Sequence, residues 1–297
     1  MKKVKPDPIL CNDQLQALQG YLRAYGAVAF MQAMFWILTK KSEDFAGRVT
    51  PTRTVPFIVN RVQRDLDSKL ESWNYLLKSR QVGGTTYFIL RRLLLPVITD
   101  GGIGALLISQ SSDFATEHFA IVKRAYELIG CEDPRAPVNK FNASIRANLL
   151  HAKYSNRREI VFDQLDSKIR IASAEVEESG QGVTLHHVLA SEYSRWPGKP
   201  AETLSNIMGA LVPGGTRDIE CTANGAVGAF FEEFKQAMLE PHMSAGKAHF
   251  YPWPWSDEYT QDITPDQAKE LNDDLTSDEL QLIKRMHIEL ADVAYVG

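Results

Sequence analysis

The chain is built around one stretch, Leu76-Leu77-Lys78-Ser79-Arg80-Gln81-Val82-Gly83-Gly84-Thr85-Thr86. Its apolar start predicts a strand, its glycine pair frees the backbone to turn, and the residues from Thr85 to Leu94 predict a helix. Amide groups at the start of a helix lack intrahelical partners and carry the positive end of the helix dipole. A strand, a glycine turn and a helix in this order therefore predict a cradle for phosphate groups.

The stretch departs from the standard phosphate-binding pattern G-x-x-x-x-G-K-[ST] at two positions. Gly83 and Thr85 match the pattern, but Gly84 stands where lysine is usual and Lys78 stands where the first glycine is usual. Since a triphosphate needs a cation within reach, Lys78 and Arg80 are the candidates for that role. The hydroxyl of Thr85 is the candidate Mg²⁺ ligand. The alternative to a nucleotide site is an ordinary turn closed by a hydroxyl.

Length and composition restrict the class of protein. The chain has 297 residues, enough for one large domain or for one domain with a smaller subdomain. Its net charge of −4 argues against a surface coated with nucleic-acid-binding charge. Three widely separated cysteines indicate a reducing compartment. The most apolar stretch, 27–38, is too short to span a bilayer.

The segment before the glycine turn predicts two helices and a contact between Gln63 and the adenine base of a nucleotide. The spacing of its apolar residues predicts two helices that end near Leu38, followed by a polar loop over 39–55. Phe57 and Gln63 then precede the turn at a distance that lets them fold back over a nucleotide, where the Gln63 amide would pair with the edge of adenine. A surface position on a helix is the alternative for Gln63.

Further strands are predicted downstream at 104–109, 168–172, 187–192 and 218–225. The strand 187–192 ends in Ser191-Glu192, and an acid at the end of a central parallel strand lies at the ligand-binding edge of the sheet. Glu192 is therefore the candidate that activates water, and Ser191 the candidate that binds a metal-bound water. The last strand ends in Thr222-Ala223-Asn224-Gly225, whose hydroxyl and amide are suited to sense a γ-phosphate.

One segment, 134–158, is basic and contains no carboxylate. Two aromatic residues are interleaved with its cations, which is typical of a contact with the DNA backbone. A solvated loop balanced by acids elsewhere in space is the alternative interpretation. The basic residues are Arg135, Lys140, Arg146, Lys153, Arg157 and Arg158.

Strands that alternate with helices predict an α/β fold with a mostly parallel sheet. The order of the motifs then resembles that of the large subunit of tailed-bacteriophage terminases, the DNA-packaging motors. The resemblance extends from about Pro56 to Ile283. It rests on Phe57, Asn60 and Gln63, on the loop 77–86, on Leu189-Ala190-Ser191-Glu192-Tyr193-Ser194-Arg195-Trp196-Pro197, on 222–225 and on Phe250-Tyr251-Pro252-Trp253.

The resemblance implies a P-loop NTPase of the ASCE type. Its mostly parallel central sheet would be flanked by helices, with an N-terminal helical extension over 1–55, an ATPase core over 56–225 and a small C-terminal lid subdomain over 226–297. It implies ATP and Mg²⁺ as cofactors.

Its implied partners are double-stranded DNA, a portal protein and a small terminase subunit. The chain would form a ring on the portal, would be a monomer in isolation and would have no membrane partner. The implied place of action is the host cytoplasm, transiently at the procapsid portal. The nuclease of full-length terminases is expected to be absent.

The resemblance also implies roles for individual residues. Glu192 would be catalytic together with Lys78 and Arg80, and Mg²⁺ would be held by Thr85, Ser191 and Glu192. The implied nucleotide-binding residues are Phe57, Gln63, Lys78, Ser79, Arg80, Gln81, Val82, Gly83, Gly84, Thr85, Thr86, Thr222 and Asn224. A helicase-like ATPase and a non-catalytic nucleotide-binding scaffold are the alternative functions.

Overall fold

The computed structural model describes residues 8–39, 42–43, 49–50, 52–129, 152–176, 184–256 and 263–286. The strands of these residues are β1 (Trp36–Leu38), β2 (Ser42–Glu43), β3 (Val49–Thr50), β4 (Thr54–Pro56), β5 (Trp73–Lys78), β6 (Gly104–Ser109), β7 (Ala152–Ser155), β8 (Glu159–Phe162), β9 (Ser167–Ser173), β10 (Leu185–Ser191), β11 (Leu211–Thr222) and β12 (Lys247–Tyr251).

The helices lie between these strands and at both ends of the described chain. They are α1 (Pro8–Met34), α2 (Arg61–Lys69), α3 (Gly84–Phe88), α4 (Leu95–Thr99), α5 (Ser112–Glu127), α6 (Pro200–Met208), α7 (Ala229–Leu239), α8 (Pro265–Asp274) and α9 (Ser277–Met286). A π-helical segment, Ile89–Leu94, joins α3 to α4, and short 3₁₀ turns lie at Tyr193–Arg195, Pro241–Met243 and Trp253–Trp255.

An eight-stranded sheet forms the centre of the molecule, in the order β12-β5-β11-β10-β6-β9-β8-β7. The six strands from β12 to β9 are parallel, and β8 and β7 continue the sheet in antiparallel fashion. The predicted α/β class with a mostly parallel sheet flanked by helices is confirmed. Because parallel strands end at one edge of a sheet, Lys78, Ser191 and Thr222 are brought to the same edge.

Helices cover both faces of the sheet, which explains why its central strands read as continuous apolar runs. Every residue of β6 is buried. One face packs with α1, α2, α5 and the π-helical segment, and the other packs with α6 and α7. The strand predicted over 104–109 has the bounds of β6, since glycines delimit this run on its N-terminal side and polar residues on its C-terminal side.

The N-terminal segment differs from the prediction. The two predicted helices are present, since α1 is broken at Gly26 (φ 82°, ψ 169°), but the second ends at Met34 rather than near Leu38. Residues of the predicted loop 39–55 form strands. Trp36–Leu38 pairs with Thr54–Pro56 in antiparallel register. The spacing of apolar residues reports only local contacts, so it does not reveal a strand whose partner lies in a later part of the chain.

Strand β12 lies in the segment assigned to the lid, yet it extends the central sheet alongside β5. The predicted boundary at 225 therefore does not coincide with the edge of the sheet, and the division into three units stays a prediction. Among the described residues, no helix combines the length and apolar character that a bilayer crossing requires.

Candidate active site

Side-chain hydrogen bonds from the start of α2 hold the glycine turn after β5 in place. Gly83 has φ 76°, a left-handed conformation, and a side chain there would meet Gln63 Nε2 at 2.6 Å. Gln63 Nε2 donates to the Gly83 carbonyl at 2.9 Å, and Asn60 Nδ2 donates to the Val82 carbonyl at 3.1 Å. Glycine is therefore required at position 83 both for its backbone conformation and for this close approach.

The Gln63 side chain is engaged at both ends. Its Oε1 accepts from the Asn60 backbone amide at 3.1 Å, which closes a capping box at the start of α2, while its Nε2 holds the turn. Phe57 is fully buried. Gln63 thus fixes the position of the phosphate loop in this structure, and its contact with adenine stays a prediction.

The two positions that depart from the standard loop pattern, Lys78 and Gly84, lie next to each other in space. A Cβ atom at Gly84 would lie 3.0 Å from Lys78 Cδ and 2.8 Å from Leu76 Cδ2. The aliphatic stem of Lys78 therefore fills the space that a side chain at position 84 would enter. A side chain at position 84 would therefore require Leu76 and the stem of Lys78 to shift.

The Lys78 ammonium group is buried between two carboxylates. It lies 2.9 Å from Glu220 Oε2 and 3.7 Å from Glu192 Oε1. Burial by itself would lower the pKa of Lys78, but the Glu220 carboxylate more than offsets this effect and the pKa is raised above its usual value. Lys78 is therefore held in its charged form, as binding to phosphate requires.

Glu220 is a site residue that the sequence analysis missed. Its side chain is fully buried, and its Oε1 accepts hydrogen bonds from Thr85 Oγ1 at 3.0 Å and from Ser191 Oγ at 2.5 Å. Burial raises the pKa of Glu220, but the charge and hydrogen bond of Lys78 and the hydroxyl of Ser191 bring it below its usual value. A signal was present, since Asp218-Ile219-Glu220-Cys221-Thr222 places acids alternately on a strand that ends at the ligand edge.

Glu192 follows β10 directly and has φ 52° and ψ 41°. This left-handed conformation costs a non-glycine residue about 1–2 kcal/mol, and such strain is concentrated at functional sites. Its Oε2 accepts from Thr222 Oγ1 at 3.1 Å and lies 3.6 Å from Arg195 Nε. The Glu192 carboxylate therefore lies beside the phosphate loop and the end of β11.

The ends of β10 and β11 are tied together beyond this contact. Asn224 Nδ2 donates to the Ser194 carbonyl at 3.1 Å, and Trp196 Nε1 donates to the Ser191 carbonyl at 3.0 Å. Displacement of the segment after Glu192 would therefore be transmitted to Thr222 and Asn224 through these hydrogen bonds. The segments after β10 and β11 are therefore directly connected, and the sensing of a γ-phosphate by Thr222 and Asn224 stays a prediction.

We use the name lysine site for Lys78, Thr85, Ser191, Glu192, Glu220 and Thr222. The other predicted site residues lie around it. Arg80 and Gln81 are exposed on the loop, and the Ser79 backbone amide donates to the Tyr251 carbonyl at 2.9 Å. In the basic segment, Arg157 and Arg158 are exposed between β7 and β8. Arg135, Lys140 and Arg146 lie outside the described residues.

The lysine site has donors that suit Mg²⁺. The Thr85 and Ser191 hydroxyls and the Glu220 carboxylate converge at one point. Mg²⁺ prefers oxygen donors and is usually held in nucleotide sites by one or two carboxylates together with phosphate oxygens. The residues present therefore fit the metal that the phosphate loop implies.

The fold is shared with solved structures of phage proteins. The large terminase ATPase domain of Thermus phage P74-26 aligns with 74% of this chain and 90% of its own length, with a TM-score of 0.50 and 16% identity. The HK97 bacteriophage large terminase aligns over 87% of this chain with a TM-score of 0.53 and 15% identity. The alignment spans 51% of the HK97 protein, about half its length.

At these identities, the likeness shows the fold and not the activity. No family model matches the sequence, and no curated protein is significantly similar to it. The fold shared with these structures is the α/β fold with a mostly parallel sheet that the sequence motifs predict.

Proposed function

We propose that this chain is the ATPase motor domain of a phage large terminase, which hydrolyses ATP to move double-stranded DNA into a procapsid. One observation carries the proposal. The Lys78 ammonium group at the phosphate loop lies 3.7 Å from the carboxylate of Glu192, which also accepts a hydrogen bond from Thr222. A cation for phosphate, a candidate base and a candidate sensor are thus in contact at the carboxyl edge of a parallel sheet.

The residues of the site would have different roles in phosphoryl transfer to water. The free amides at the start of α3 and the charge of Lys78 would bind the phosphates. Glu192 would orient the attacking water and accept its proton. When bound, Mg²⁺ would neutralise charge on the β- and γ-phosphates. Arg80 and Arg195 are the candidates that stabilise the charge developing in the transition state.

The partners follow from the same proposal. A packaging motor acts on double-stranded DNA, as a ring on the portal protein and with a small terminase subunit that delivers the substrate, in the host cell. The exposed Arg157 and Arg158 support a DNA contact by the basic segment. Nuclease activity is not proposed for the described residues.

The test is Glu192→Gln, which keeps the size of the side chain and removes its basicity. We expect phosphate release to fall by about 10²–10⁴-fold, the usual contribution of a general base, while binding of labelled ATP is kept. The matched control is Glu202→Gln, which alters an exposed pair with Lys199 and should change neither quantity.

Three results would oppose the proposal. Full hydrolysis by Glu192→Gln would remove Glu192 from catalysis. ATP binding without phosphate release by the wild-type protein, with and without DNA in an assembled ring, would favour the nucleotide-binding scaffold. Separation of the strands of a forked DNA substrate would favour the helicase-like ATPase.

A further inference from the structure

We propose that Glu220 holds Mg²⁺ from strand β11, in place of an aspartate at position 191. The inference rests on the proposed ATPase function and assigns a residue within its site. In ATPases with this type of loop, a carboxylate at the end of a neighbouring strand works with the loop Ser or Thr to hold the metal. In this chain that position is the neutral Ser191, so the carboxylate must come from elsewhere.

The sheet places Glu220 next to position 191. Ser191 and Glu220 are register partners in the parallel pairing of β10 with β11, and their side chains are joined by a hydrogen bond of 2.5 Å. A carboxylate on either strand would therefore reach the same point. A glutamate is one methylene longer than an aspartate, which gives Glu220 the additional reach from a position within the strand.

The contacts of Glu220 are those that the metal-holding role requires. Thr85, the loop hydroxyl that would ligate the metal, donates to Glu220 Oε1 at 3.0 Å. Lys78, the cation of the loop, lies 2.9 Å from Oε2 of the same carboxylate. Glu192 instead accepts from Thr222, which leaves it with the role of base. The two acids share Lys78 but accept from different hydroxyl groups, which suits them to separate tasks.

A purely structural role for Glu220 does not account for this arrangement. A buried ion pair is seldom more stabilising than apolar residues of the same volume, because both charges must be removed from water. Two carboxylates at 191 and 220 would also repel each other at the observed separation of their side chains. Ser191 and Glu220 are therefore a matched pair, in which a neutral residue on one strand accompanies the acid on the other.

The experiment measures the gain in affinity for fluorescently labelled ADP when Mg²⁺ replaces EDTA, with Mn²⁺ bound to the ADP complex followed by electron paramagnetic resonance. For Glu220→Gln we expect ADP to bind in EDTA as to the wild type. We expect the gain from Mg²⁺ to fall by about 10–100-fold, the usual loss when support for a metal ligand is removed. Glu220→Asp keeps the charge beside Lys78 and should lose part of the gain while remaining folded.

The decisive variant moves the acid to the neighbouring strand. Ser191→Asp combined with Glu220→Gln should recover the gain from Mg²⁺ and the Mn²⁺ signal, whereas Ser191→Asp alone should lower the melting temperature without raising the gain. If Glu220→Gln does not fold, the combined variant decides: a wild-type gain supports the assignment, and a folded protein without the gain overturns it.

Two other outcomes have distinct meanings. If Glu220→Gln keeps the full gain from Mg²⁺, or weakens ADP binding equally in Mg²⁺ and EDTA, Glu220 is only the counterion of Lys78 and the assignment is wrong. If the wild-type protein binds no nucleotide under either condition, the proposed function fails before the role of Glu220 is reached.

Discussion

Strands β5 and β11 carry two buried charged clusters at successive positions along their length, and their contrast explains how the site is built. The lysine site lies at the carboxyl ends of these strands. The second group, named here the Asp218 cluster, lies towards their amino ends and consists of Asn74, Arg92, Asp218 and His249. Asp218 and Glu220 are two residues apart on the same face of β11, and both are fully buried.

Burial raises the pKa of both acids, but their net pKa shifts have opposite directions. Burial raises the pKa of Asp218 to about 6, because the Arg92 guanidinium at 3.3 Å and the Asn74 amide at 2.7 Å compensate only partly. Burial also raises the pKa of Glu220, but the ammonium group of Lys78 and the hydroxyl of Ser191 bring it below its usual value. Both acids are equally buried, and their different partners therefore determine which of them stays ionised.

Removal of the lysine should have the largest effect. In Lys78→Met, Glu220 stays fully buried but loses its counterion, so we expect the free energy of unfolding to fall by about 3–5 kcal/mol at neutral pH. The loss should shrink on acidification, because protonation of Glu220 removes the uncompensated charge. Urea unfolding at several pH values measures both effects.

The matched control for Lys78→Met is Lys247→Met on the neighbouring strand β12. Lys247 forms an exposed pair with Glu71 at 3.5 Å, and loss of such a pair should cost about 0–1 kcal/mol. Equal losses in the two variants would mean that Glu220 does not depend on Lys78, and the contrast between the clusters would lose its basis.

Neutralisation of Asp218 should have a smaller effect and should depend on pH. The pKa of Asp218 is near 6 in the folded protein and about 3.8 in its usual range, so its stabilising contribution is full below about pH 4 and is lost as the pH rises to about 6. Asp218→Asn cannot ionise and escapes this loss. We expect the free energy of unfolding of the variant, relative to wild type, to rise by up to about 3 kcal/mol across this window.

The opposite dependence of stability on pH would contradict the contrast between Asp218 and Glu220. A relative stability of Asp218→Asn that falls as the pH rises would mean that Asp218 is held ionised, as Glu220 is. Urea unfolding of both proteins at pH 4, 5, 6 and 7 distinguishes the trends, and the difference should be constant above about pH 7.

Local patterns predict the central strands β6, β9, β10 and β11 and a set of candidate site residues, but not the N-terminal strands or the pairing of Ser191 with Glu220. Glu192 was found because it follows an apolar run at a strand end, a property of a short segment. Glu220 was not, because its role depends on Ser191 of another strand, and register between strands is a long-range property. The close approach of the Lys78 stem and Leu76 to Gly84 is likewise visible only in the packing.

Substitution of His249 should have the smallest effect at neutral pH and the opposite pH dependence to Asp218→Asn. His249 is buried and its Nε2 lies 3.0 Å from Asn74 Oδ1, and burial lowers its pKa from 6.5 to about 4. Neutral His249 therefore stabilises the fold above about pH 6.5, and this contribution is lost as the pH falls to about 4. Relative to wild type, His249→Gln should recover stability across that window by up to about 3 kcal/mol. The control variant is His242→Gln, which removes a histidine from an exposed 3₁₀ turn and should show no such dependence on pH. If the deficit of His249→Gln grew on acidification, the Asp218 cluster would hold a charged histidine, and its contrast with the lysine site would have to be drawn from geometry alone.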